Sequence, residues 1–371
     1  MTAKKQNKLS TFDVVKNGEQ VFHNLRWGFG IVVCPYCGSV HVKEYDGYRY
    51  KCNSCKNRFS DRTNTIMHGS KLSTGVWMVA LHEMVTDNFI SSVTLAKKLG
   101  INQKSAWLIQ FKLRRFMEFD GIKLSGVVSM DEMYIGGCLS NYHYSRKLRL
   151  LREHHYLAEN SRDYSKNAIF RLNSELKVPV FGMTDGDKVV LHVCPNPIKK
   201  EHVRKLHRKY CQHGCMTIAD ESALYENWQR SVGGTLKTNN HNRNQYKTID
   251  GYTSNAIENK FSWFKRGFYS RITHCKYLQL YLNEYCFRYN NRNLSTEDMF
   301  KLLVGVTIGK HYTYKQVKEY NPLDRFTSKA QKERDNKKEQ RIMDAIHTAL
   351  KLHIVDVYRY HGKQYVLSDF E

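Results

Sequence analysis

Val127-Val128-Ser129-Met130-Asp131-Glu132 is the stretch on which the fold turns. A short apolar run rich in β-branched residues reads as a buried strand, and this one runs into an acid. Cys215-Met216-Thr217-Ile218-Ala219-Asp220-Glu221 repeats the pattern. Between them, Val178 to Met183 and Lys188 to Val193 flank Asp185-Gly186-Asp187 as a hairpin. Strands followed by helices indicate an α/β layer with a mixed sheet. Asp131 and Asp220 then stand at strand ends, on the sheet edge where open α/β sheets bind ligands.

Outward from these strands lies Thr253-Ser254-Asn255-Ala256-Ile257-Glu258-Asn259-Lys260-Phe261-Ser262-Trp263-Phe264-Lys265-Arg266. As a helix it puts Ile257, Phe261, Phe264 and Phe268 on an apolar face. Asn255, Glu258, Ser262 and Lys265 form a polar stripe. Glu258 and Lys265 are nearly two full turns apart, so they point the same way. Taken alone, this stretch would read as a surface ion-pair helix. Joined to the two aspartates, it supplies a third carboxylate. Three converging carboxylates repel unless hard divalent cations neutralise them, Mg²⁺ (or Mn²⁺) being the usual kind. Two such ions about 4 Å apart serve phosphodiester chemistry. No G-x-x-x-x-G-K-[ST] loop occurs, so ATP-driven chemistry is not indicated.

Upstream, Cys34-Pro35-Tyr36-Cys37 and Cys52-Asn53-Ser54-Cys55 are two C-x2-C knuckles separated by 14 residues. This spacing is that of a four-thiolate zinc ribbon, with short strands at His41–Lys43 and Tyr48–Lys51 around Asp46-Gly47. Four thiolates leave no open position, so the Zn²⁺ is structural. Six other cysteines are scattered. Cys211-x3-Cys215, with His207 and His213 nearby, is either a second metal group or ordinary core; the core reading is preferred, because free cysteine is a common small core residue. Residues 72 to 119 read as helical. Ser91 to Trp107 has the form of a helix-turn-helix, with a stop at Gly100 and a cap at Asn102. Its second helix carries Gln103, Lys104, Gln110, Lys112, Arg114 and Arg115; Lys104 and Arg114 are the expected DNA contacts.

Charge points the same way. Of 371 residues, 59 are Lys or Arg and 35 are Asp or Glu, a net +24. Such an excess attracts polyanions, and nucleic acid leads. No apolar run is long enough for a membrane span and the N-terminus lacks a signal-peptide pattern. The expected location is therefore the cytoplasm, at the nucleoid when DNA-bound, with no membrane partner. Residues 139 to 171 are basic without clear periodicity and read as an insertion or DNA-contacting loop. Residues 325 to 341 suggest a solvated helix or linker, and 342 to 357 an amphipathic helix.

These residues carry a resemblance. The ribbon, Asp131-Glu132-Met133-Tyr134-Ile135-Gly136-Gly137, Phe181-Gly182-Met183, Ala219-Asp220-Glu221-Ser222-Ala223-Leu224-Tyr225, Asn255-Ala256-Ile257-Glu258 with Lys265-Arg266-Gly267, Phe287-Arg288-Tyr289-Asn290-Asn291-Arg292 and Tyr312-Thr313-Tyr314-Lys315 resemble bacterial insertion-sequence transposases of the DDE class, ISXO-two-like branch. The resemblance implies an RNase H-like catalytic fold with Asp131, Asp220 and Glu258 as triad, 88 and 37 residues intervening, and Asn255 as the reserve third member. It implies two metal ions on that triad, Lys265 and Arg266 on DNA phosphate, and a His of the family at His241. It further implies binding of terminal inverted repeats and target DNA, Mg²⁺-dependent strand cleavage and strand transfer, and a homodimer or larger synaptic assembly.

The expected organisation is multidomain α/β. Residues 1–70 hold the zinc ribbon and 71–122 the helix-turn-helix. Residues 123–293 form the RNase H-like mixed-sheet catalytic domain, and 294–371 a basic, mostly helical tail of open role. The rival reading is a catalytically inactive or domesticated zinc-ribbon DNA-binding protein.

Overall fold

The computed structural model describes residues 17–28, 30–118, 121–158, 164–239, 254–270, 277–326, 358–360 and 363–365. His241 and the 342–357 stretch lie outside them. The chain divides into two compact units, one of residues up to 121 with 291–321, the other of 122–290 with 322–326.

The first unit opens with helix α1 (Gly18–Arg26), then the strands β1 (Val42–Asp46), β2 (Arg49–Cys52) and β3 (Arg58–Ser60), which form one antiparallel sheet. Gly47 and Tyr48 both take positive φ and turn β1 into β2. Asp61, 4% exposed, ties this sheet to α1: its carboxylate meets His23 Nδ1 at 2.8 Å and accepts from Trp27 Nε1 at 2.7 Å.

Three helices follow: α2 (Thr74–Thr86), α3 (Ser92–Leu99) and α4 (Gln103–Phe116). Local chemistry sets their ends. Ser91 Oγ accepts from the Thr94 N–H at 3.0 Å, Gly100 ends α3 in the left-handed region at φ 64°, and Asn102 Oδ1 accepts from Ser105 N–H at 2.8 Å. Each is a known stop or start signal, and the helix–turn–helix outline read from the sequence is present. α1 crosses α2 closely, since a Cβ on Gly18 would lie 2.5 Å from Gly75 Cα.

In the second unit a five-stranded sheet has the order β6-β5-β4-β7-β8. The strands are β4 (Val127–Ile135), β5 (Val178–Thr184), β6 (Val189–Val193), β7 (Met216–Asp220) and β8 (Leu236–Asn239). β4, β5 and β6 pair antiparallel, while β4, β7 and β8 pair parallel. Taken from β4 this is the 3-2-1-4-5 arrangement of an RNase H-like sheet, as the resemblance implied.

Two sequence readings need correction. Asp131 does not end its strand: β4 continues to Ile135, because Met133 and Ile135 stay buried and pair with β5. Residues 139–171 are not a plain loop. Helices α5 (Tyr144–Glu153) and α6 (Lys166–Leu176), capped by His143 and Ser165, enclose a small core of Leu139, Leu151, Ala168 and Leu172. The apolar spacing is helical there, hidden in sequence by the abundant Arg and Lys.

The remaining helices of this unit are α7 (Lys200–Tyr210), the short α8 (Trp228–Val232), α9 (Asn255–Tyr269) and α10 (Leu278–Asn290). α10 closes the edge of β6 with side-chain amides. Asn290 accepts from Val189 N–H at 2.7 Å and donates to its carbonyl at 2.9 Å; Gln279 accepts from Val193 N–H at 2.8 Å. Surrogate pairing of this kind satisfies an exposed strand edge. Back in the first unit, α11 (Thr296–Val306) packs on α1 and α2, and α12 (Tyr314–Lys318) on α4. Ile66 N–H donates to Thr307 carbonyl at 3.0 Å, stitching this return segment to the ribbon side. β9 (Tyr358–Tyr360) and β10 (Lys363–Tyr365) pair antiparallel.

Candidate functional site

The register of the parallel strands places the two aspartates. Val127, Val128 and Ser129 stand beside Met216, Thr217 and Ile218. Carried two residues further, the same offset sets Asp131 level with Asp220, on one face of adjacent strands. The paired register of β4 with β7 runs to Ser129, two residues short of the carboxylates.

Glu258 arrives on α9, which packs on β4 and β5. The fit depends on Gly182, the residue directly opposite Asp131 on β5. A Cβ at Gly182 would lie 2.4 Å from Phe261 Cε1 and 2.9 Å from Leu191 Cδ2. The missing side chain is the slot that Phe261 fills. Glu258, one turn before Phe261 on the same side of α9, is thereby carried to the same face of the sheet as Asp131. Ser254 Oγ donates to Glu258 Oε1 at 2.8 Å and steadies it.

Electrostatics register the acids as neighbours. The Asp131 carboxyl is pushed up to about 7, first by burial, then by the charges of Glu132, Asp220 and Glu258. The Glu132 N–H, 2.7 Å from Asp131 Oδ1, works the other way and favours the anion. Like charges in a partly dry site raise each other's pKa, and cations bound among them reverse that. An all-carboxylate donor set suits hard divalent cations, so the residues fit the ions that a DDE site takes.

Sequence reasoning missed two contributors. Glu132 is a fourth acid at the site, its pKa raised first by burial, and it accepts a hydrogen bond from Tyr225 Oη at 2.5 Å. Tyr225 itself is buried and held as the neutral phenol, by burial and then by Glu132. The adjacent Asp-Glu pair was the available signal. Gly182 was quoted in a motif, but its role needs the register.

The other expected residues separate. On α9, Lys265 is half-buried and Arg266 exposed; Asn255 is exposed in the first turn. Lys104 is exposed at the start of α4. Arg114, expected at a DNA surface, is only 1% exposed, with its guanidinium 5.5 Å from the Phe111 ring centroid. Gln110 and Lys112 are buried with it: Gln110 Nε2 donates to the Ile90 carbonyl at 2.7 Å, and Lys112 Nζ lies 5.9 Å from the Trp77 ring centroid.

The four ribbon thiols do meet. Cys34, Cys37, Cys52 and Cys55 bring their sulfurs within 4.8 Å of one another, with Cys34–Cys55 and Cys37–Cys52 both at 3.6 Å. Burial opposes charge on Cys52, but the Cys55 and Ser54 N–H groups and neighbouring thiols outweigh it and hold Cys52 at about 6. That is a thiolate ready for a zinc ion.

Comparison with known proteins adds three findings. Residues 123–290 match the ISXO2-like transposase domain, and residues 18–58 match the transposase zinc-ribbon domain. A protein of Halobacterium salinarum, described as an uncharacterized protein in transposable element ISH50, is 25% identical over 191 residues. The aligned part covers 50% of this chain and 60% of that relative.

Proposed function

We propose that this chain, which matches an ISXO2-like transposase domain and a transposase zinc-ribbon domain, cuts and joins DNA at the ends of its own insertion sequence. The observation that supports the proposal is the level placement of Asp131 and Asp220 on adjacent parallel strands, with the charges of Asp220 and Glu258 acting on a buried Asp131. Those three carboxylates would hold two divalent ions, Mg²⁺ or Mn²⁺. When bound, such ions favour attack at a phosphate and stabilise the departing oxygen.

The chain's own groups do the positioning. Asp131 and Asp220 present oxygens from adjacent strands, and Glu258 closes the third side from α9. Tyr225 fixes Glu132 beside them. Lys265 and Arg266, near two turns beyond Glu258, take the flanking DNA phosphates. Water attacks the phosphodiester at the element's end, the P–O3′ bond breaks, and a 3′-OH leaves. That hydroxyl then attacks a target phosphodiester, forming one P–O3′ bond as the target's own breaks. The ribbon and the α3–α4 pair, with Lys104 exposed, would bind the terminal inverted repeats. Two ends are joined, so a homodimer or larger synaptic assembly is proposed. Among the described residues no helix is long and apolar enough to cross a membrane; action at the nucleoid fits a DNA substrate.

The third carboxylate is tested by paired substitution. Glu258→Ala should abolish metal-dependent nicking of end DNA, while Asn255→Ala retains it. A Glu258→Ala protein that still nicks, beside a dead Asn255→Ala protein, would transfer the role to Asn255.

A further inference from the structure

A second thiol group lies in the second unit, away from the carboxylates. His207 sits in the last turn of α7, Cys211 caps that helix, and Cys215 stands one residue before β7. All three are buried, at 3%, 4% and 6% exposure, and their ligand atoms lie within 4.8 Å of one another. His207 and Cys211 are four residues apart on one helical face, and the Gln212-His213-Gly214 turn brings Cys215 back to them.

The distances are those of ligands sharing an ion. Zn–S of about 2.3 Å and Zn–N of about 2.0–2.1 Å put neighbouring ligands of a tetrahedral zinc roughly 3.5–3.8 Å apart. Cys215 Sγ and His207 Nε2 are 3.5 Å apart, and Cys211 Sγ lies 3.8 Å from Met183 Sδ. The ribbon's own pairs, at 3.6 Å, give the same spacing. Met183 and Thr217, whose Oγ1 is 3.3 Å from His207 Nε2, are both fully buried and flank the remaining side.

We propose that His207, Cys211 and Cys215 form a second, structural zinc site in this chain. Its three donors are soft or borderline, which selects Zn²⁺ over the hard ions of the carboxylate site, and the fourth position of the tetrahedron lies toward the buried Met183 and Thr217, closed to substrate. The ion would clamp the end of α7 to the start of β7, the strand that ends in Asp220. The site does not depend on the transposase reading.

The test is metal content of the purified full chain. Two zinc per chain are expected in the wild type. One should remain after Cys34→Ala with Cys37→Ala, and one after Cys211→Ala with Cys215→Val, apolar changes that suit a buried site. If the latter variant fails to fold, the ribbon-deficient chain decides. Loaded with Co²⁺, it should show thiolate charge-transfer bands from one tetrahedral ion per chain. One zinc in the wild type and none in the ribbon-deficient chain would overturn the proposal. So would a Cys211–Cys215 disulfide detected by mass, or copper or iron in place of zinc.

Discussion

The ribbon and the carboxylate site are both built to gather negative ligands, and they do it in opposite ways. The ribbon takes its four sulfurs from two short knuckles joined by a hairpin, so the ligands are neighbours in sequence before they are neighbours in space. The carboxylate site takes its acids from two strands and a distant helix. Their meeting depends on parallel register and on one glycine. The ribbon's donor set is also complete without solvent, whereas the acids of the carboxylate site come from three separate elements. A closed thiolate set stabilises a fold; an open oxygen set serves a reaction.

That contrast sets where each region breaks. The largest effect is expected from Gly182→Val. The new side chain meets Phe261 and must push α9 off the sheet, costing about 1–3 kcal/mol of stability. Nicking should fall at least about a hundredfold, because a shift near 1 Å misplaces Glu258. Circular dichroism should show the fold retained and end-DNA binding should persist. Unchanged nicking in Gly182→Val would show that α9 does not set the site.

Cys34→Ser should do the reverse. It opens the ribbon and weakens binding of end DNA by roughly tenfold or more, about 1.4 kcal/mol, in a fluorescence-anisotropy titration. The melting transition of the sheet unit should stay in place. Equal affinity in wild type and Cys34→Ser would remove the ribbon from end recognition.

The smallest effect is in pH. Burial and its acidic neighbours raise Asp131 from 3.8 to about 7, so the folded state disfavours its ionised form. In metal-free protein this penalty is absent below about pH 4, grows as pH rises, and is complete above about pH 7. The melting temperature should therefore fall across that window. Asp131→Asn should flatten the fall, and Mn²⁺ at pH 8 should reverse it. A metal-free melting temperature that does not change with pH would mean that the carboxylates are already neutralised by the chain.

What could be read in the sequence follows the same division. The ribbon, the hairpin at Asp185-Gly186-Asp187 and the α3–α4 turn are local, and spacing or caps disclosed each. Asp131 and Asp220 announced themselves as acids after apolar strands, although β4 runs past Asp131. The role of Gly182 could not be read, since a glycine in a strand gives no sign of the ring that will fill its place. Arg114 misled because a basic residue late in a helix looks solvent-facing, whereas here it is buried against Phe111. The His207, Cys211 and Cys215 spacing is visible and reads as core, and all three are buried; only the fold brings Cys215 back to the helix end.

The central claim is that this chain joins DNA through its carboxylate site. The direct test is a labelled DNA carrying the element's own end, incubated with target DNA and Mg²⁺ or EDTA, for wild type and Asp220→Ala. The account predicts joined products with wild type and Mg²⁺ alone, and end binding without products for Asp220→Ala. Joined products that persist in Asp220→Ala, or a wild type that binds the end but neither cuts nor joins under varied metals and salt, would contradict it.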